Sequence, residues 1–324
     1  MAKTGPDRLW RDFEPERFGP EDQQDYKQPM TSAAANPLAN RPFLKMNGIG
    51  NSIVVLDLRG SALQVGAVDA RAIGRGEGLA YDQMMVLYDP VSAGTAARMK
   101  IFNIDGSLSG ACGNGTRCVA WALMQQMADK HIVLESDAGL LECTREGPWR
   151  FTVDMGAPQL GWADIPLRDA VANTVLVTLP DPPPGAELLD GFGAVSMGNP
   201  HAVFFVDDIE AHHLDRVGPL IEHHPMFPQR VNVSLAHVVS RDYIDLKVWE
   251  RGTGLTLACG SAACATLVAS VRRDLCGRRA TIRLPGGELV IEWRESDGHV
   301  LMTGDVELEF EGKFDPSLFA AANA

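Results

Sequence analysis

Two stretches of the chain repeat one another without a gap. Lys100–Gly113 reads KIFNIDGSLSGACG, and Lys247–Gly260 reads KVWERGTGLTLACG. Lys100 falls on Lys247, Leu108 on Leu255, and Ala111-Cys112-Gly113 on Ala258-Cys259-Gly260, an offset of 147 residues. Further anchors keep almost the same spacing. Gly50-Asn51 before an apolar run matches Gly198-Asn199 before another, Gln83 matches Asn232, and Met155-Gly156 matches Thr303-Gly304. A duplication on that scale predicts two similar α/β units packed about a pseudo-twofold axis, with the matched cysteines facing one cleft. A chain of 324 residues is long enough to give each unit its own core.

Composition narrows the setting. The net charge of −13 leaves no basic footprint for nucleic acid or for an anionic membrane. No apolar run reaches membrane-span length, and the N-terminus lacks a basic-then-apolar leader, so a cytoplasmic location is expected. The six cysteines are then expected as thiols. Residues 1–40 carry charges and prolines with little apolar periodicity, and are expected as a solvated extension despite Trp10, Phe13 and Phe18.

Strands are expected at 43–46, 53–58, 84–88, 98–103, 131–134, 140–143 and 151–154 in the first unit. The second unit is expected to hold strands at 194–197, 202–206, 235–239 and 243–249, with a last one at 306–310. Short helical patterns cover 69–74 and 209–223, and longer ones follow the two repeated cysteines, at 114–128 and 262–275. The glycines of Gly74–Gly78 imitate a nucleotide fingerprint, but they follow a helix rather than a strand and are read as a loop. His212, His213, His223 and His224 are read as the solvent face of one polar helix, since no cysteine or acidic set completes a metal site.

Cys112 and Cys259 stand apart from the other cysteines because each lies between a glycine-rich loop and a helix start. The positive end of a helix there is expected to favour a thiolate and lower its pKa. The amides of Gly113, Asn114, Gly260 and Ser261 offer an anion site suited to a carboxylate. A carboxylate held by both helix starts would set its α-carbon between two sulfurs, one to take a proton and the other to return one.

The chain resembles the diaminopimelate epimerase family from about Pro42 to about Phe314. The resemblance rests on KMNGIGN (45–51), YDQ (81–83), FNIDGS (102–107), ACGNGTRC (111–118), MGNPH (197–201), VNV (231–233) and ERGTGLTLACGSAA (250–263). It implies a cofactor-independent enzyme that interconverts LL- and meso-diaminopimelate, with no metal and as a homodimer. It implies two α/β domains, 41–156 with 304–318 and 157–303, each a β-barrel-like sheet around a central helix. Cys112 and Cys259 would be the acid–base pair. Asn51, Gln83, Asn103, Asn199, Asn232, Glu250 and Arg251 would contact substrate, while Gly113-Asn114 and Gly260-Ser261 clasp the reacting carboxylate. His201 and Glu250 would adjust the thiols. Ser261 stands where the family commonly has Thr, and Thr116 where it commonly has Ala. Proline racemases and hydroxyproline epimerases share the two-cysteine plan, but small-ring substrates have no use for the Glu250-Arg251 pair. A redox or metal-binding thiol protein is the reading from another class, and exchange of an α-proton with solvent separates it from an epimerase.

Overall fold

The computed structural model describes residues 36–125, 127–189 and 191–323. Residues 1–35, and with them most of the expected extension, lie outside the described residues.

The first half runs β1 (Pro42–Asn47), β2 (Ser52–Asp57), α1 (Ala67–Gly74), β3 (Gln83–Tyr88), β4 (Ala97–Asn103), β5 (Leu108–Ser109), α2 (Gly113–Met124), β6 (His131–Ser136), β7 (Gly139–Arg145) and β8 (Arg150–Asp154). The second half repeats the order with β9 (Phe192–Ser196), β10 (Pro200–Phe205), α3 (Leu214–Glu222), β11 (Asn232–Ser240), β12 (Tyr243–Glu250), β13 (Gly254–Thr256), α4 (Gly260–Arg272), β14 (Arg279–Leu284), β15 (Gly287–Trp293) and β16 (Val300–Asp305). β17 (Glu307–Lys313) ends the series.

Register shows that the duplication is structural as well as sequential. β2 and β3 are parallel with Ile53 opposite Gln83, and β10 and β11 are parallel with His201 opposite Asn232. In both cases the polar residue that heads the second strand pairs two positions beyond the asparagine of a Gly-Asn turn. A helix, α1 or α3, makes each parallel crossover, as parallel strands require. β4 and β12 then pair antiparallel with β3 and β11, and parallel with β6 and β14.

The halves are stitched where the chain crosses between them. β8 and β16 pair antiparallel, and β17 returns to pair with β1. Asp154 at the end of β8 is gripped from the other half by Arg294, at 2.8 Å, and by His299 Nδ1, at 2.9 Å.

Each half wraps its strands around one helix. The core about α2 gathers Met85, Leu87, Ile101, Val119, Leu134 and Phe151, and the core about α4 gathers Val203, Ile244, Leu267, Val268, Ile282 and Ile291. A helix enclosed on every side has no polar face to spend, and most residues of α2 and α4 are buried. Beta strands and few helices give a mixed α/β fold around two central helices, as the repeat requires.

Several expected boundaries move. α2 stops at Met124 rather than 128, where the Arg145 guanidinium donates to the Met124 carbonyl and takes over a helix-end acceptor. α4 stops at Arg272 rather than 275, because Asp274 adopts a left-handed backbone with φ of 56°. The single histidine-bearing helix expected over 209–223 is broken. A 3-10 turn covers Glu210–His212, His213 sits at φ of 42°, and α3 begins at Leu214. β14, β15 and β16 went unassigned in the sequence. Their alternation is plain in retrospect, with Ala280, Ile282 and Leu284 buried on one strand and Leu289 and Ile291 on the next.

Candidate active site

One cleft of about 410 Å³ lies between the starts of α2 and α4. Asn51, Gln83, Asn103, Cys112, Gly113 and Asn114 line it from the first half. Asn199, Asn232, Glu250, Arg251, Cys259, Gly260 and Ser261 line it from the second. His201 is the one site residue singled out in the sequence that does not reach the wall. It is fully buried behind Asn199, with Nε2 3.0 Å from the Asn199 amide oxygen. Burial first, and the nearby Arg251 charge second, hold its pKa down at about 3, and its contact with the cleft wall is through Asn199.

Both cysteines are N-cap residues with extended backbone, the conformation that lets a cap side chain face the first helical amides. The Gly115 N–H donates to Cys112 Sγ at 3.3 Å. Cys112 Sγ also lies 3.5 Å from the Gln83 amide oxygen and 3.8 Å from that of Asn51. Cys259 Sγ lies 3.6 Å from the Ser261 hydroxyl.

The helix-start effect expected from the sequence is present but loses to burial. Desolvation pushes the Cys112 thiol up to about 11, with the Gly115 N–H pulling the other way. Cys259 is raised as well, first by burial and then by Glu250. Burial thus favours the protonated form of both sulfurs.

Hydrogen bonds tie the polar residues of the wall to one another and to the backbone. Asn51 is tied to Asp82 at 3.3 Å, and Gln83 donates to Asn103 at 3.4 Å. Asn199 donates to Ser261 Oγ at 3.3 Å, and Asn232 donates to the Pro200 carbonyl at 2.8 Å while accepting from the Arg251 N–H at 2.9 Å. Glu250 accepts from Thr256 Oγ1 at 2.6 Å, and burial raises its pKa. Arg251 Nη1 is held by the Gln229 carbonyl at 3.0 Å.

Sequence reasoning missed part of the wall. Ser109 and Thr253 face the cleft, and Thr256 holds Glu250. The repeat carried a usable signal, because Thr256 is the mate of Ser109 at the same offset of 147. Met302 gave none. It is fully buried under both helix starts, so that a Cβ on Gly113 would come within 2.4 Å of its methyl carbon and one on Gly260 within 2.8 Å of its sulfur. Gly113→Ala is expected to displace Met302, cost about 1–3 kcal/mol of stability and misalign the α2 amides, measured by urea melts and turnover.

Burial also sets an alkaline limit. Cys118, Cys143 and Cys264 are each pushed up to about 12 by desolvation. In an unfolded chain a thiol ionises near about 8.5. Between those values the folded state holds the extra proton, so stability falls as pH rises, by up to about 1.4 kcal/mol per pH unit for each thiol. Thermal melts from pH 8 to 11 should show that decline, with a shallower slope for Cys143→Ala.

Two matched thiols at two buried helix starts, facing one polar cleft in a duplicated α/β chain, form the arrangement a two-base racemase or epimerase needs. The family model for diaminopimelate epimerase matches residues 43–161 and 193–309. A diaminopimelate epimerase of Methylocella silvestris is 57% identical over 289 residues, covering 89% of this chain and 100% of that protein. One from a Methylobacterium strain is 58% identical over 292 residues, covering 89% of this chain and 99% of that protein. Among solved structures, a hydroxyproline epimerase from Agrobacterium vitis with bound trans-4-hydroxy-L-proline shares the fold. Its TM-score is 0.59 at 14% identity, covering 85% of this chain and 92% of that one. The chain belongs to the diaminopimelate epimerase family.

Proposed function

We infer that this protein interconverts LL- and meso-2,6-diaminopimelate, an isomerisation that serves lysine and peptidoglycan precursor synthesis, by proton transfer between two cysteines. The observation that carries the reading is the pairing of Cys112 and Cys259. They are mates in the duplication, and each caps a buried helix on the wall of the same cleft.

The reacting α-carboxylate sits against the amides of Gly113-Asn114 and Gly260-Ser261, where both helix dipoles favour negative charge. As the α-proton leaves, charge delocalises onto that carboxylate and the same amides bind it more tightly. One thiolate takes the proton while the opposite thiol delivers its own to the other face, so the thiolate changes sides in each turnover. Glu250 is placed to take the Cys259 proton, since the thiol and the carboxylate already interact. The distal end of the substrate is itself an amino acid. Arg251 suits its carboxylate, and the amide oxygens along the wall suit its ammonium.

Neither proton transfer calls for a cofactor or metal, and we assign none. The two halves are read as domains 41–156 with 304–318 and 157–303, the working form as a cytoplasmic homodimer, and the partner as the small-molecule substrate rather than nucleic acid or membrane. No helix among the described residues is long and apolar enough to cross a membrane.

The test is incubation with diaminopimelate in deuterated water, with proline and hydroxyproline as comparison substrates. Deuterium at the α-carbon of diaminopimelate alone supports the assignment, and exchange into the cyclic imino acids instead overturns it. Oxidation gives a further expected result. The two sulfurs share one cleft, and a disulfide forms once their Cα atoms approach to within roughly 7 Å. Mild oxidants should inactivate reversibly, dithiothreitol should restore activity, and peptide mapping should find Cys112 joined to Cys259 rather than to another cysteine.

A further inference from the structure

The duplication is imperfect in two places that bear on the thiols. Glu250, beside Cys259, has Asn103 as its mate in the first half, so Cys112 has no matching carboxylate to receive its proton. Conversely, Arg117 on α2 has Cys264 as its mate on α4, so a cation stands on one side of the axis only. Arg117 is fully buried, and its Nε, Nη1 and Nη2 have no hydrogen-bond partner among the described residues. Gly304 packs against the guanidinium, for a Cβ there would come within 3.2 Å of Cζ.

A guanidinium does not shed its proton in a protein, and an unpaired buried charge is costly to keep. The core about α2 is otherwise apolar. The groups whose negative form would compensate it are the thiols Cys118, Cys112 and Cys264, from α2 and α4, and Asp305 from β16. Of these thiols only Cys112 lines the cleft, where Glu250 opposes its ionisation.

We propose that Arg117 is a positioning residue that supplies the buried counter-charge for the Cys112 thiolate, on the half that lacks a counterpart of Glu250. The two thiols thus lose their protons by different means: a fixed cation steadies the thiolate of one, and a carboxylate accepts the proton of the other. The proposal rests on the two-cysteine reading of the cleft.

The experiment follows alkylation of Cys112 by iodoacetamide, read peptide by peptide in the mass spectrometer, from pH 7 to 11. It uses the full chain without substrate, as wild type, Arg117→Met and Arg117→Lys. At each pH the Cys112 labelling rate should fall roughly tenfold in Arg117→Met and should return most of the way in Arg117→Lys. The Cys259 rate should change less. An unchanged Cys112 profile in folded Arg117→Met overturns the proposal. A wild-type measurement stands beside these variants in case they do not fold. The Arg117 Nε resonance should shift as Cys112 titrates, and the shift should vanish in Cys112→Ser; a resonance indifferent to that titration also overturns it. Neither readout uses diaminopimelate, so a wrong substrate assignment leaves both results standing, and a failed Arg117 assignment leaves the epimerase activity intact.

Discussion

Cys112→Ser and Cys259→Ser should each abolish net epimerisation, with turnover reduced by roughly 10³-fold or more, within the range set by loss of a positioned acid or base. Serine keeps the geometry of the helix cap but replaces a thiol with a far weaker acid. Each cysteine is base in one direction and acid in the other, so neither loss can be confined to one direction. The variants should still differ from each other. Each retains one sulfur on one face of the α-carbon and can exchange the proton of the isomer presented to it. Residual deuterium entry should therefore favour opposite isomers in the two variants, measured by chiral chromatography with mass detection. Near-normal epimerisation in either variant removes that cysteine from the acid–base pair.

Arg251→Met should be nearly as damaging, through binding rather than proton transfer. A guanidinium pinned by the Gln229 carbonyl and lining the cleft is prepared to receive a carboxylate before substrate arrives. Removing it costs about 2–4 kcal/mol, or roughly 30- to 1000-fold in kcat/KM. Arg251→Lys should recover only part, because an ammonium carries the charge without the two-pronged donor geometry. Initial rates over a range of diaminopimelate concentrations measure both variants. The control is α-proton exchange with an amino acid that lacks the distal carboxylate. That weak reaction should be little changed by either substitution, and a parallel loss there would point to damage at the cysteines.

The duplication made much of the fold legible in advance. Gly-Asn turns, a polar residue at the head of β3 and β11, and a cysteine before each buried helix all recur at nearly one offset, so they had to meet about one axis. The cysteines and their helix-start amides were legible for the same reason, whereas the roles of Asn103, Glu250 and Arg251 came with the family resemblance. What was not legible came from single-residue backbone conformation and from interactions distant in the chain. The break at His213 and the early ends of α2 and α4 depend on a left-handed backbone or on an arginine arriving from another strand. Met302 under both helix starts is set by the β8–β16 seam, which no local pattern announces. The thiol acidities also escaped the sequence, because a helix start is a local feature whereas desolvation is a property of the assembled core.

The most direct measurement is isotope partition at early times in deuterated water, with wild-type protein and LL-diaminopimelate unlabelled at the start. A thiol holds a single proton, so the proton taken by one sulfur cannot be the one delivered by the other. Two opposed thiols predict that the first meso product carries solvent deuterium at the inverted carbon while recovered LL substrate remains almost free of it. Product that retains the original proton, or substrate that exchanges as fast as product forms, would contradict proton transfer by two separate bases.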